Sequence, residues 1–412
     1  MSDFQSGSQE EIRIKIVAEH DTDLGGGDFE VLPHAGNPTG PHKEWSAGPT
    51  DEVTSDLSIN DNVARGFTVP FSAGNVFRHK CFDTPLKMVL GSQDEAAVTI
   101  TNSTTIASAA TGNKFTGSAG VFSGLGDQVP CHVWIKRGGS TPIAAAPYLA
   151  LSVNGDGSEL TMATATAGGL TLTTVAAGDR VDMHVDQTFR NGTNHIFAII
   201  ERAMLGVGQF HAGFGMICTK FGIQAEKGSD PKTDFSFEGI DYAVATATFG
   251  SGTETPAPSF PVFNTGSGLR YFRVGGSVNA DLFLRSISLS IDSPVVAIDP
   301  AGVDGPYAHS KNRQTIGGEI SLYTNTASRD LADDVNSREV LAVQFGLFCL
   351  DAEGKLNGYM FYVPAAQCEK ATHEGGGTDG ILMTKVPFGA KRDATTGRVV
   401  IISRFTDCYG GA

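Results

Sequence analysis

Histidines, cysteines and grouped acidic side chains are the residues of this chain that could do chemistry. Ten histidines are scattered along the 412 residues, and none forms an HxxxH or HExxH pair that would place two zinc ligands on one helix face. His132 and His184 could meet within one region of short strands, although a surface or loop position is the better explanation for each of them. We therefore expect no metal site.

One loop resembles the beginning of a calcium-binding loop. It reads Asn154-Gly-Asp156-Gly-Ser158-Glu159, but its twelfth position, where a bidentate glutamate is required, is Ala165. A hairpin turn rich in Asn, Asp and Gly accounts for the same residues. The glycine-rich runs lack the Gly-Lys-Ser/Thr of a phosphate loop, and no GxSxG nucleophile motif occurs. The sequence thus predicts no catalytic and no cofactor-binding residue, and we expect a protein that is not an enzyme.

The six cysteines indicate buried thiols rather than disulfides or metal ligands. No pair has CxxC spacing, and several lie in apolar strand patterns; they are Cys81, Cys131, Cys218, Cys349, Cys368 and Cys408. The first residues, MSDFQSGSQEE, are polar and acidic, and no apolar run approaches the ~18 residues of a membrane span. We expect a protein made in a reducing cytoplasm, without a signal peptide.

Composition restricts the partners of the chain. Charged residues make up 18%, below the usual ~25%. Either copies of the chain cover part of the surface, or the surface is simply rich in Gly, Ser and Thr. The net charge of −15 argues against electrostatic capture of nucleic acid, which needs Lys and Arg facing phosphates. It does not exclude a surface along which DNA slides without being held.

The sequence predicts mainly strands, and the same order of strands occurs in both halves of the chain. Residues 54–72 and 286–324 each contain a strand of alternating apolar and polar residues, a polar loop and a second strand that starts at glycine. In each half a helix follows, then three more strands. The first helix is expected within 75–92, capped by Asp83 and Thr84 before Pro85, and ended by Gly91. The second is expected at 328–338. This repetition predicts an internal duplication.

The expected fold class is mainly β: two tandem β-sandwich domains, each with a short helix, and a small inserted β-barrel or sandwich. The inserted region is rich in Thr, Ala, Gly and Ser and contains six short strands separated by turns. The boundaries are an N-terminal arm at 1–28, a first domain at 29–95 and 191–247, the inserted domain at 96–190, a linker at 248–260 and a second domain at 261–412. The arm contains a strand at 12–20, which either adds to a neighbour's sheet edge or forms an edge of its own domain.

Three runs of the chain resemble the tail tube proteins of long-tailed, non-contractile phages. The first is SDLSINDNVARGFTVPFSAGNVFRHKCFDTPLKMVLGS, with a polar loop, a Gly-led strand and a short helix that ends in LxG. The second is LRSISLSIDSPVVAIDPAGVDGPYAHSKNRQTIGGEISLYTN, where a strand leads into a long loop and a Gly-led strand returns. The third, VPFGAKRDATTGRVVIISRF, is similar to the closing hairpin of that family.

The resemblance implies a structural protein of the virion. Tail tube domains are β-sandwiches with a flanking helix, whose sheets join around a ring into a barrel that lines a channel for DNA. With two such domains per chain, three copies would complete a pseudo-sixfold ring, and the inserted domain would project outward. The implied partners are copies of the chain itself, the tape measure, tail terminator and distal tail proteins, and passing DNA, with no membrane insertion and no cofactor. The loop at 292–314 would bridge stacked rings, and an acidic lumen would repel phosphates.

Three other functions remain open on the sequence. A secreted or surface β-sandwich that binds glycans would need a signal peptide or clustered exposed aromatic residues, yet only Trp45 and Trp134 occur as tryptophans. Another virion component, such as a capsid decoration or tail-tip protein, is a second alternative. An enzyme on a β scaffold is the third, and the missing catalytic motifs count against it.

Overall fold

The computed structural model of the chain describes residues 10–18, 28–49, 62–103, 105–108, 113–138, 143–163, 180–250, 254–266, 268–275, 282–336, 339–375 and 381–409. Within these residues the fold is mainly β, with 27 strands and two short α-helices. The expected fold class is confirmed, because antiparallel sheets dominate both halves of the chain and each half carries one helix.

The elements of the first half are β1 (Glu10–Val17), β2 (Glu30–Leu32), β3 (Ala35–Thr39), β4 (Glu44–Pro49), β5 (Asn62–Val76) and α1 (Asp83–Leu90). The region after α1 contains β6 (Val98–Ser103), β7 (Ala107–Ser108), β8 (Lys114–Thr116), β9 (Cys131–Gly138), β10 (Ile143–Val153), β11 (Glu159–Met162), β12 (Arg180–Val185) and β13 (Gln187–Arg190). The first half resumes with β14 (Phe197–Met204), β15 (Gln209–Glu226), β16 (Lys232–Gly239) and β17 (Asp241–Ala245).

The elements of the second half are β18 (Leu269–Val274), β19 (Leu284–Asp292), β20 (Val295–Ile298), β21 (Ala308–Lys311), β22 (Thr315–Tyr323), α2 (Thr326–Asn336), β23 (Val340–Leu350), β24 (Lys355–Cys368), β25 (Thr372–Glu374), β26 (Met383–Ala390) and β27 (Ile401–Tyr409).

Eight strands from both halves join into one antiparallel sheet, the long sheet, in the order β3–β5–β16–β15–β19–β22–β26–β25. Side chains alternate between its two faces, as the strand period of two requires. In β16, Thr233, Phe235 and Phe237 are buried, whereas Lys232 and Asp234 are exposed. The long sheet therefore has one apolar face against the core and one face of polar side chains, which we call the polar face.

Two smaller sheets cover the apolar face of the long sheet. The first backing sheet has the order β2–β1–β14–β15–β17, and the second has the order β18–β23–β24–β27–β13. The largest hydrophobic core lies between these layers and includes Phe71, Phe221 and Phe361. Full burial of such a side chain contributes roughly 1.5–3 kcal/mol. The halves are thus β-sandwiches that share one continuous core.

The two halves pair their strands in the same order. In the first half, β15 pairs with β14 and β17 along its N-terminal part and with β16 along its C-terminal part, while β1 adds to β14 and β5 adds to β16. In the second half, β24 pairs with β23 and β27, the chain from the end of β24 through β25 pairs with β26, β18 adds to β23, and β22 adds to β26. The order found twice in the sequence therefore corresponds to the same pairing order found twice in the structure.

Both helices lie between corresponding strands, but the first is shorter than the sequence predicts. Residues 75 and 76 belong to β5, and α1 begins only at Asp83. Its N-cap is Phe82 without a side-chain hydrogen bond, so Asp83 does not act as the predicted cap. Gly91 ends α1 in the left-handed conformation (φ 64°), as predicted, and Ser92 N–H closes the turn on the Lys87 carbonyl.

The region after α1 forms a separate seven-stranded sheet in the order β6–β12–β9–β10–β11–β8–β7 with its own hydrophobic core. Five of the six predicted strands correspond to β6, β9, β10, β11 and β12; the sixth, at 170–175, lies outside the described residues. β13, although inside the predicted span of 96–190, pairs with β27 of the second backing sheet. We call β6–β12 the inserted domain.

The N-terminal strand pairs within its own chain. Of the two alternatives that the sequence left open, β1 follows the second and pairs within its own domain, but it lies between β14 and β2 and is therefore an inner strand rather than the expected edge strand. The strand predicted at 54–60 lies outside the described residues. The predicted linker runs along the first half, since Thr255 forms a bridge with Glu30 and the two segments exchange backbone hydrogen bonds. Neither described helix has the length and apolar character needed to span a bilayer.

Candidate assembly surfaces

His132 and His184 lie on the neighbouring strands β9 and β12, where His184 pairs with Trp134, and His132 is not at the surface or in a loop as expected. His132 is fully buried on β9, where its backbone N–H donates to Ser403 Oγ (2.9 Å), whereas His184 on β12 contacts Thr99 Oγ1 (2.8 Å). Burial lowers the pKa of both imidazoles, that of His132 to about 3. In the described part of the chain, no group of three or more His, Cys, Asp or Glu side chains is arranged to hold a metal ion.

The loop at 154–159 is a tight hairpin turn between β10 and β11. Asn154 Oδ1 accepts the Glu159 N–H (2.8 Å), and Asp156 Oδ1 accepts the N–H and hydroxyl of Ser158 (3.1 and 2.7 Å). The bonds from Ser158 lower the pKa of Asp156. The polar side chains thus close the turn on itself, as the hairpin interpretation predicts.

All six cysteines are buried and free, which confirms the prediction from the sequence. Burial raises the pKa of Cys131 and Cys218 to about 12. The thiolate is the reactive form of cysteine, so these thiols are chemically quiet at neutral pH.

The polar face of the long sheet carries more acidic than basic side chains. Its charged residues are the acids Glu226, Asp234, Glu238, Asp292, Glu319 and Glu374, and the bases Lys220, Lys232, Arg285 and Lys385. Several form ion pairs, such as Lys220 with Asp234 (2.9 Å) and Lys385 with Glu374 (2.8 Å). The Asp234 carboxylate crosses Gly222, where a Cβ would lie 2.3 Å from its oxygen. Glycine at that position lets the pair lie flat on the sheet.

The two halves meet edge to edge through β15 and β19. Glu226 pairs with Ser286 and Lys220 with Asp292 in an unbroken antiparallel register. This joint uses the edge of the first half at β15 and the first long-sheet strand of the second half. In the part of the chain that the structure describes, the corresponding edges are β25 at one end of the long sheet and β3 at the other. Among the described residues, β25 pairs only with β26, and β3 only with β5.

Two hairpins project from the same end of the long sheet. The first hairpin consists of β4 and residues 62–68 of β5, and the second consists of β20 and β21. The tip of the second hairpin touches the first hairpin near its base: Gly305 packs against the Phe67 ring so closely that a Cβ would lie 2.4 Å from it. Trp45, Val303 and Tyr307 on these hairpins are more than half exposed. The predicted turn between Asp299 and Asp304 forms the tip of the second hairpin.

The opposite end of the long sheet also exposes apolar side chains. Phe283, Ile381 and Leu382 are 60%, 67% and 56% exposed. They flank the starts of β19 and β26, and backbone hydrogen bonds tie Phe283 to Tyr323 and Leu382 to Thr324. Apolar side chains at both ends of one sheet are typical of surfaces that bind other proteins.

Contacts between the second hairpin and α1 were not predictable from the sequence. Lys311 Nζ donates to the Met88 carbonyl (2.6 Å), and Gln314 Nε2 donates to those of Val89 and Leu90 (2.8 and 3.0 Å). These are the last carbonyls of α1, which have no partner within the helix. Burial lowers the pKa of Lys311. Because more than 220 residues separate the partners, no local pattern could have indicated the contact.

A buried polar network joins α1 to the second half. Asp83 accepts hydrogen bonds from Tyr359 Oη (2.5 Å) and from Arg404, and Arg404 Nε also donates to Asp186 (2.8 Å). Lys80 N–H donates to Tyr359 Oη (2.8 Å). Asp83, predicted to cap α1, is therefore used to connect the two halves.

The inserted domain docks on the second backing sheet through Trp134. This side chain is 3% exposed and packs at a tilt against Phe348 and Phe405, with ring centroids 5.8 and 5.7 Å away. Beside it, a groove of about 460 Å³ is lined by both domains, including Lys80, His184, Asp186 and Thr406. The inserted domain thus covers the side of the molecule that faces away from the polar face of the long sheet.

Comparison of the sequence with models of protein families and with curated proteins finds no match.

Proposed function

We propose that the protein is a structural virion protein that assembles into stacked rings and forms the tail tube of a long-tailed, non-contractile phage. The observation that carries this proposal is the joint between β15 and β19. Two halves of like pairing order are already joined there, edge to edge, and the equivalent edges at β3 and β25 lie at the two ends of the long sheet.

Repeating that joint between copies would build a ring. The contact would be head to tail, with the β25 edge of one copy against the β3 edge of the next, and such contacts close into a ring when the rotation allows. Closure turns the long sheets into one barrel and removes exposed strand edges. Since each copy contributes two halves, three copies give a pseudo-sixfold ring, the number that the resemblance to tail tube proteins implies.

The polar face would line the channel. Its charged residues number six acids and four bases, so this face carries a net negative charge in the described residues. Phosphates bind where cations outnumber acids, and a lining of net negative charge would let double-stranded DNA pass without being held. The inserted domain supports the same orientation, because it docks on the second backing sheet, away from the polar face. It would therefore project from the outside of the tube.

Contacts between the two ends of the long sheets in neighbouring rings would hold the rings in a stack. The hairpins with Trp45, Val303 and Tyr307 leave one end, and Phe283, Ile381 and Leu382 lie at the other. Burying these apolar side chains between rings would contribute about 25 cal/mol for each Å² removed from water. In the virion, the tube ends would contact tape measure, terminator and distal tail proteins, and the chain would be made in the host cytoplasm before assembly.

Electron microscopy of the purified full-length chain tests the proposal. We expect hollow tubes at high protein concentration, with three peripheral lobes in averaged end-on views. Hollow tubes with six lobes would retain the tube and contradict the trimeric ring. Monodisperse particles at every salt concentration, also after addition of preformed tail tips, would contradict the proposal and favour a surface-binding module.

A matched variant identifies the lobes. Val98 and Val185 are direct neighbours in the inserted domain's sheet, so a short Gly-Ser linker can replace residues 98–185 while keeping β13 on β27. We expect tubes of unchanged inner diameter whose lobes are gone. Loss of assembly by a variant that stays folded would contradict the outward position of the inserted domain.

A further inference from the structure

A hollow of about 460 Å³ lies at the end of the long sheet from which the two hairpins project. Three separate parts of the chain line it: Phe67 of the first hairpin, Ile240 of the turn between β16 and β17, and residues 303–307 at the tip of the second hairpin. Its walls are mainly apolar, and Val303 and Tyr307 expose more than half of their surface there. Since a cavity of roughly 150 Å³ already holds benzene, the hollow has room for an aromatic side chain.

Contacts within the chain form the hollow before anything binds there. The Phe67 ring lies 4.2 Å from the Lys43 ammonium and packs edge-on with Trp45, at 5.2 Å between ring centroids. Gly305 lies so close to the same ring that no Cβ would fit between them. Lys43 also pairs with Asp241 (3.1 Å), which links the first hairpin to the turn between β16 and β17. A site that is formed in advance loses little conformational entropy when it is filled.

An apolar ridge lies at the opposite end of the same sheet. It consists of Phe283, Ile381 and Leu382, each more than half exposed. The three residues flank the end of β22, because the Tyr323 N–H donates to the Phe283 carbonyl and the Thr324 N–H donates to the Leu382 carbonyl. Neighbouring strands are about 4.8 Å apart, so the backbones that carry the ridge lie within about 10 Å of one another. Single exposed apolar side chains are ordinary, whereas a group of them at one place is typical of a binding surface.

The charges beside the hollow and beside the ridge are of opposite sign. The charged residues in the lining of the hollow, Asp241 and Asp304, are both acidic. At the other end, the start of β19 and the turn between β15 and β16 carry three bases and two acids, which are Lys227, Lys232, Arg285, Glu226 and Asp230. Complementary charge speeds the encounter of two surfaces and favours one orientation.

A second copy of the chain is the occupant that these two surfaces indicate. The nine residues of β19 separate the two ends of the sheet by roughly 30 Å, so no copy can fill its own hollow. A contact between two different surfaces of identical chains runs head to tail, and it continues from copy to copy unless the rotation closes a ring. Along the axis of the proposed ring, such a contact stacks one ring on the next.

We propose that the ridge of one copy fills the hollow of a copy in the next ring, with the ring of Phe283 between Phe67 and Val303. This inference rests on the proposed function and assigns the residues of its stacking contact. It also makes the tube polar, because open hollows remain at one end and free ridges at the other. The proteins that cap the two ends therefore need different surfaces: an apolar projection for the hollows and an apolar cavity for the ridges.

Matched substitutions test the contact on the full-length chain. Val303→Asp places a carboxylate in the hollow, and Val296→Asp places the same group outside it on the same hairpin, at 54% and 55% exposed positions. We expect Val303→Asp and Phe283→Asp to leave single rings and to raise the concentration needed for tubes about tenfold or more, because burying an unpaired carboxylate is costly. Val296→Asp is the control and should form tubes as the wild type does. Thermal unfolding and the far-ultraviolet spectrum of each variant show whether it is folded.

Chemical cross-linking gives a direct readout of the same contact. A chain that carries both Phe283→Cys and Val303→Cys, treated with a short bismaleimide while assembled, should give a ladder of linked oligomers on a denaturing gel. Each of the two single variants should remain unlinked, because the six native thiols are buried.

The outcomes separate this contact from the ring itself. Tubes of Phe283→Asp or Val303→Asp at the wild-type concentration would overturn the contact and leave the ring intact. Folded Phe283→Asp protein that forms no rings would assign the ridge to ring closure and overturn the contact as well. Loss of tubes in Val303→Asp without a ladder in the double cysteine variant would overturn it in favour of another occupant of the hollow. A wild-type chain that forms neither rings nor tubes would contradict the proposed function.

Discussion

The outer faces of the two backing sheets are buried by different means. In the first half, Glu201 on β14 is fully buried and accepts hydrogen bonds from Arg13, Thr248 and the Phe249 N–H, so the predicted linker is held by charge. In the second half, Met360, Tyr362 and Phe405 point at the inserted domain, which covers them with Trp134 and Leu149.

This difference in what covers the two backing sheets explains why the long central strands β15 and β24 have different patterns of apolar residues. In β24, Tyr359 and Phe361 face the common core while Met360 and Tyr362 face the inserted domain, so nearly every position is apolar and buried. In the C-terminal part of β15, one face meets water and apolar residues alternate with polar ones. Strands of the same role thus diverge in sequence because their outer faces have different neighbours.

Breaking the charged cover of the first half should have the largest effect. Glu201→Ala leaves Arg13, which is only 4% exposed, without its buried partner. We expect the free energy of unfolding to fall by about 3–5 kcal/mol, measured by urea denaturation. Glu254→Ala removes a 39% exposed partner of the same arginine and should cost less than about 1 kcal/mol. Equal losses in the two variants would contradict the assignment of Glu201 as the central contact.

Breaking the aromatic cover of the second half should cost about 3 kcal/mol and release the inserted domain. Trp134→Ala removes the side chain that joins the two domains. Limited proteolysis should then cut first at the loops that join β6–β12 to the rest of the chain. Trp45→Ala, at a 53% exposed position, is the control and should leave the digestion pattern unchanged. Cleavage distributed evenly over Trp134→Ala would show global rather than local loosening.

Acid should weaken the cover of the second half through His132. Burial, with Arg273 nearby, lowers its pKa from 6.5 to about 3. The unfolded chain therefore binds a proton before the folded chain does, and stability falls as the pH drops from about 6.5 towards 3, by about 1.4 kcal/mol per pH unit for this group. We expect His132→Gln to reduce that slope in urea titrations between pH 7 and 4. Parallel slopes for the variant and the wild type would contradict this role of His132.

The smallest of these effects concerns the contact between α1 and β24. Tyr359→Phe keeps the ring in the core but removes the hydroxyl that donates to Asp83 and accepts from the Lys80 N–H. We expect a loss of about 1–2 kcal/mol in the free energy of unfolding, because two buried polar groups lose a partner. Phe361→Leu, a change of volume without polar groups on the same strand, allows the packing contribution to be subtracted. A Tyr359→Phe variant as stable as the wild type would show that water replaces the hydroxyl.

Local sequence patterns predicted much of the architecture. Alternation in 286–291 and 233–237 predicted β19 and β16 with their buried faces, and Gly91 predicted the end of α1. The beginning of α1 was predicted incorrectly, because residues 75 and 76 complete pairs with β16 and are therefore held in a strand. Asp83 and Thr84 also failed as caps, since their side chains bond to Tyr359 and Glu30 instead.

The sequence by itself determined that the chain is mainly β, that its strand order occurs twice, and that its thiols are buried. These properties depend on the alternation of apolar and polar residues with a period of two and on the type of side chain. Both can be seen in residues that are neighbours in the sequence. Only the tertiary structure decided that β15 joins β19, that Lys311 completes α1, and that Trp134 attaches the inserted domain to the second half. Those contacts join residues far apart in the chain, and their free energy comes from desolvation and charge pairing at surfaces that exist only after folding.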